Sequence, residues 1–130
     1  MTRKELSQLY WLKREIENNK KHLAELEAKA TEMSPSLEGL PHAPGIADKT
    51  AIAADIADVR AVIAAQEAAA RAEYIRLIRY IATVEDSLMR QILTLRYIEG
   101  LSWPMVAARI GGGNTEDSVR MAHNRYLKNH

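Results

Sequence analysis

A chain of 130 residues has room for one small core, or for a small domain carrying a long helical extension. It contains no cysteine, which excludes disulfides and thiolate metal centres, and its four histidines show no ligand spacing, so neither metal nor cofactor is expected. The net charge of +1 is unevenly spread: residues 74–130 carry eight Lys or Arg against five Asp or Glu, residues 34–73 three against six, and residues 1–33 seven against six.

The first predicted element is a long helix of about 29 residues, spanning roughly 43 Å. Leu9, Leu12, Ile16, Asn19, Leu23, Leu26, Ala30 and Met33 step by three and four, an apolar seam with one polar position at Asn19. The segment from Ser34 to Gly45 follows, where Pro35, Pro41 and Pro44 stop helix continuation. His42 lies in this loop with no acid or nucleophile near it in sequence, and is read as a loop residue. A second seam runs through Ile52, Ile56, Val59, Ile63, Gln66, Ala70, Glu73 and Leu77, predicting a helix from Ala47 to about Ala82. Two seams and a Pro-rich connection predict an antiparallel helical hairpin over residues 1–82. Each helix buries only a narrow stripe, so a second copy or the C-terminal domain is expected against the remaining apolar surface; a homodimer is the expectation, and the alternative is a monomer whose hairpin packs back on Tyr10, Trp11 and the Tyr74 to Ile81 stripe.

Thr83, followed by acid at Asp86, resembles a capping box that restarts the chain as a helix to about Ile98. Leu88, Met89, Ile92 and Leu95 are expected in its core face, with Trp103 packed against it. Gly100 can close that helix, Ser102 can cap the next, and Pro104 is harmless in a first turn. Gly111, Gly112 and Gly113 allow a reversal; no strand precedes them and no Gly-Lys-Ser/Thr follows, so they are not a phosphate-binding loop. Thr115 can cap the last helix. Helix, turn, short helix, glycine turn and helix is the grammar of a helix-turn-helix, which places its second helix in the DNA major groove.

On that last helix Val119, Ala122 and Tyr126 form the inner stripe, and His123 borders it as a packing residue. Asp117, Arg120, Met121, Asn124 and Lys128 form an outward stripe. Arg and Asn can contact guanine and adenine edges bidentately and a carboxylate can accept from cytosine, which makes Asp117, Arg120 and Asn124 base-reading candidates; Met121 suits a thymine methyl. Arg109, Ser118, Arg125 and Lys128 are the candidates for contact with the DNA backbone. Glu116 stands four residues before Arg120, the spacing of an ordinary helical ion pair.

The run Ile92-Leu93-Thr94-Leu95-Arg96-Tyr97-Ile98-Glu99-Gly100-Leu101-Ser102-Trp103, with Val106-Ala107 and Ser118-Val119-Arg120, resembles region four of bacterial sigma factors. The whole chain, including Gly39-Leu40-Pro41-His42 and Asp48-Lys49-Thr50-Ala51, is similar to small phage and prophage proteins grouped with late-gene transcriptional regulators. The resemblance implies an all-α protein with a hairpin at 1–82 and a sigma-like helix-turn-helix at 83–130. It also implies base reading by Glu116, Asp117, Arg120 and Met121 and backbone contact by Arg125. Double-stranded DNA and RNA polymerase are the partners it implies.

No pair of titratable groups suggests a catalytic pocket, so an enzyme is not expected. No apolar run reaches the roughly 20 residues of a membrane span and no signal peptide is evident, so the cytoplasm of a bacterial host is the expected location. Three readings stand: a DNA-binding regulator acting with polymerase, a polymerase-binding module whose acids at Glu116 and Asp117 keep it off DNA, and a packaging component resembling a small terminase subunit.

Overall fold

Thr2 starts the first helical turn, α1 (Arg3–Leu6), because its hydroxyl accepts from the Glu5 amide at 3.2 Å. Ser7 then passes the chain into α2 (Gln8–Glu32), and its Oγ donates to the Arg3 carbonyl at 2.8 Å. The computed structural model describes residues 1–32 and 46–130, all of whose regular elements are helices. Met33 of the first seam and the connection with Pro35, Pro41, His42 and Pro44 lie outside the described residues. The third helix, α3, spans Ile46–Ala82, within a residue of the expected start and at the expected end. The chain divides into two units, one made of Arg14–Ala68 and the other of Met1–Lys13 with Ala69–His130.

Within Arg14–Ala68, the seams are the shielded faces. Ile16, Ile52 and Ile63 are buried, and Leu23, Leu26, Ala30, Ile56 and Val59 are half-buried. The polar seam positions meet each other: Asn19 Nδ2 donates to Gln66 Oε1 at 3.0 Å, and Gln66 Nε2 donates to Glu15 at 2.6 Å. Arg60 pairs with Glu27 at 2.9 Å. The later residue of α2 thus meets the earlier residue of α3, so the helices run antiparallel.

The other unit adds α4 (Ser87–Leu93), a π-helical turn (Thr94–Ile98), α5 (Trp103–Ile110) and α6 (Glu116–Asn129). Its core joins Leu6 and Leu9 to Leu77, Ile81, Ile92, Leu93, Val106 and Val119. Both ends of the expected hairpin therefore contribute to the core of the C-terminal helices. Two local expectations are corrected. Asp86, not Thr83, caps α4, accepting from the Leu88 amide at 3.3 Å, while the Thr83 hydroxyl donates to the Tyr80 carbonyl at 2.6 Å and finishes α3. Starting α4 three residues later puts Met89, Ile92 and Leu93 on the inner face and leaves Leu88 38% exposed. Arg90 donates to the carbonyls of Val84 (2.7 Å) and Glu85 (2.9 Å), which holds the connection between α3 and α4.

Leu6 is fully buried, so Leu6→Ala should cost about 2–5 kcal/mol of stability. A fragment of residues 83–130, lacking Leu6, Leu9, Leu77 and Ile81, should show no cooperative thermal transition by circular dichroism. A cooperative melt of that fragment would show that the N-terminal segment is dispensable to this core.

Candidate nucleic-acid interface

The reversal before the last helix is glycine chemistry: Gly111, Gly112 and Gly113 have φ of 67°, 62° and 79°, where a side chain would be strained. Asn114 closes it, donating from Nδ2 to the Gly111 carbonyl at 2.8 Å. Thr115 then caps α6 reciprocally with Ser118: the Ser118 amide donates to Thr115 Oγ1 at 3.1 Å and the Thr115 amide to Ser118 Oγ at 2.9 Å. Inward, α6 buries Val119 and His123, with Ala122 and Tyr126 half-buried. The Tyr126 and Tyr80 hydroxyls meet at 3.0 Å, and burial, then this bond, pushes the Tyr80 phenol up to about 12.

The outward residues fall into two groups. Near the start of α6, Arg120 pairs with Asp117 at 2.7 Å and with Glu116 at 3.5 Å. Farther along, Met121, Asn124, Arg125 and Lys128 line one shallow depression. Met121 is 60% exposed there. Among the described residues Arg125 and Lys128 enter no ion pair. The other two expected backbone contacts lie elsewhere. The Ser118 hydroxyl is taken up by the cap, and Arg109 stands 3.8 Å from Glu99, in a groove with Ile78, Arg90 and Leu95.

Asn124 is held by a residue that sequence reasoning missed. Arg3 Nη2 donates to Asn124 Oδ1 at 2.7 Å, across 121 positions of sequence. The same oxygen lies 3.0 Å from His123 Nδ1, and His123 Nε2 lies 2.5 Å from the Tyr97 hydroxyl. Because Oδ1 only accepts, Nδ1 carries the proton and neutral Nε2 accepts from Tyr97. The π-helical turn presents Tyr97 to this bond, while Arg96 from the same turn stacks 4.6 Å from the Trp103 ring centre. Trp103 packs against the core but is only half-buried, and meets the His123 ring at 4.7 Å.

Burial pushes the His123 imidazole below its ordinary value; Asn124 opposes the shift, and the Arg3 and Arg96 charges add to it. Burial likewise pushes the Tyr97 phenol up, against the same two arginines. Among the described residues no group of three or more His, Asp or Glu side chains is placed to hold a metal ion, and no helix is long and apolar enough to cross a membrane. The chain matches no protein-family model, no curated protein and no solved structure in the three comparisons made.

A histidine whose folded-state pKa is depressed takes up its proton more readily in the unfolded chain. The stability this contributes is intact above the unfolded value of about 6.5 and declines as pH falls from there toward the depressed folded value. The thermal midpoint should therefore drop between neutral and mildly acidic pH, and His123→Gln should flatten that slope. An identical slope in the variant would remove His123 as its source.

Proposed function

We propose that the protein is a DNA-binding transcriptional regulator of phage or prophage type, reading a short duplex site with α6 and acting with RNA polymerase. The observation that carries this reading is the exposed stripe of Met121, Asn124, Arg125 and Lys128, two of its members cations that enter no ion pair among the described residues. Duplex DNA is recognised by such a surface: cations meet phosphates, while an amide and an apolar side chain reach base edges and a thymine methyl. Arg3 adds a third cation beside it through Asn124.

In this reading the roles along α6 differ by position. Arg125 and Lys128 set affinity and register. Arg120 reaches a base only by leaving Glu116 and Asp117, an exchange that costs little because exposed pairs are worth about 0.2–1 kcal/mol. Asn124 offers the protons of Nδ2, since its oxygen is occupied by Arg3 and His123. A second reading, a module that binds polymerase without DNA, is favoured by the exposed Ile75, Ile78 and Leu88 on α3 and α4.

Selection of bound duplexes from a random pool by the purified protein should enrich a short motif. Arg120→Ala should then relax preference at one base pair. Lys128→Ala should weaken all duplexes alike and reduce the salt slope by about one. Absence of any enriched motif, with only weak salt-sensitive binding, would leave the polymerase module as the reading to pursue.

A further inference from the structure

A cavity of about 510 Å³ opens beside α6, within the unit formed by Met1–Lys13 and Ala69–His130. That volume is in the range of small-molecule sites. Three of its lining residues are arginines, Arg3, Arg96 and Arg120, and none is a carboxylate. Arg3 and Arg96 form no ion pair among the described residues; Arg96 donates to the Leu101 carbonyl, and Arg3 to Asn124. Arg120 is paired, but only with exposed acids that an incoming anion can displace. Burial first, and then the Arg3 and Arg96 charges, lower the basicity of His123 on the same wall, so this imidazole adds no competing acceptor of protons to the three arginines.

The same cavity is walled by aromatic rings. Trp11 is 61% exposed, the largest exposure of any big apolar side chain described, and it lies on the wall edge-on to Tyr10 at 5.1 Å. An indole left open in a concave site is a surface for stacking. Ser102, the residue before α5, also lines the cavity and makes no side-chain cap bond, so its hydroxyl and the amide end of α5 add polar donors suited to an anion.

We propose that this cavity binds a nucleotide unit, a flat nitrogen heterocycle stacked on Trp11 with its phosphate held by Arg3, Arg96 and Arg120. Guanidinium forks match phosphate oxygens in pairs, and three of them suit a phosphate better than a single carboxylate. A base inside a duplex has both faces covered, so the unit comes either from a free mononucleotide or from an unstacked strand. Arg120 and Asn124 belong both to this cavity and to the outward face of α6. Occupancy of the cavity therefore competes with base reading by these residues, a consequence that rests on the DNA reading above, whereas the binding itself does not.

The chain's two tryptophans, Trp11 and Trp103, both line the cavity, so intrinsic fluorescence reports on it directly. The full-length protein is titrated with AMP and GMP, with adenosine, with inorganic phosphate, and with a short single-stranded oligonucleotide, in the absence of duplex DNA. Saturable quenching by the mononucleotides or the strand is expected, with adenosine and inorganic phosphate each about tenfold weaker or more. Tighter binding of the mononucleotides identifies a free ligand; tighter binding of the strand identifies an unstacked one. Trp11→Leu and Arg3→Gln, both at exposed positions, should each weaken the response about tenfold, Trp11→Leu with an unchanged melting curve. No quenching by any nucleotide or strand at millimolar concentration, a response to inorganic phosphate as strong as to AMP, or wild-type binding by both variants would overturn the proposal. Failure to select a duplex motif would leave this result untouched.

Discussion

The neutral imidazole of His123 is the joint on which the arrangement of the last helix depends. It is 1% exposed, yet each ring nitrogen has a partner, Tyr97 on one side and Asn124 on the other. A buried polar group is tolerated only when satisfied, and the neutral ring is satisfied here in a single tautomer, with burial disfavouring the charged form. Tyr97 can donate to it because the chain widens into a π-helical turn over Thr94–Ile98, the kind of local irregularity that re-aims side chains. Through Asn124 the same bond series reaches Arg3, so the rotation of α6 about its axis is tied to the first helical turn of the chain.

That tie has a counterpart in the core. Three short C-terminal helices of 7, 8 and 14 residues have too little apolar area to offset the entropy of ordering them. Leu6 and Leu9 from the start of the chain, and Leu77 and Ile81 from the end of α3, supply the missing faces. Gly100 lets the chain turn against this core through its φ of 70°, which glycine accepts freely, while a β-carbon there would make only ordinary contact with the Tyr10 ring at 3.6 Å. Residues far apart in sequence thus build one core, and the N-terminal segment is part of what holds the C-terminal helices.

Periodic burial was the most legible feature. Every described position of both seams is shielded, and two of the three polar seam residues, Asn19 and Gln66, bond to each other, because a three-four spacing records which face is covered. Thr115 and the glycine turn were legible because their chemistry is local. The start of α4 was not, since Thr83 and Asp86 are both good caps three residues apart, and only packing decides that the first ends one helix and the second begins the next. The π-helical turn carries no residue signature. Arg3 against Asn124 and the cavity beside them arise from tertiary packing across most of the chain, which no spacing rule encodes. For Arg109 the helix-turn-helix pattern located the residue but not the direction of its side chain, which runs to Glu99 instead of to the α6 stripe.

The charge order along α6 constrains what such an interface can do. Glu116 and Asp117 sit in the first turn, where the helix dipole favours them and where they partly neutralise Arg120. A phosphate approaching that end would meet two carboxylates; one approaching the other end would meet Arg125 and Lys128. Attraction to a nucleic acid backbone would therefore fall on the second half of α6, and Arg120 and Asn124 occupy the transition between the two halves. Those same side chains line the cavity that holds Arg3, Arg96 and Trp11. A ligand drawing Arg120 into the cavity would free Glu116 and Asp117 and make the start of α6 more repulsive to DNA. In the proposed regulator, cavity and duplex would thus oppose one another through a shared guanidinium, and linkage requires that each weaken the other by the same factor.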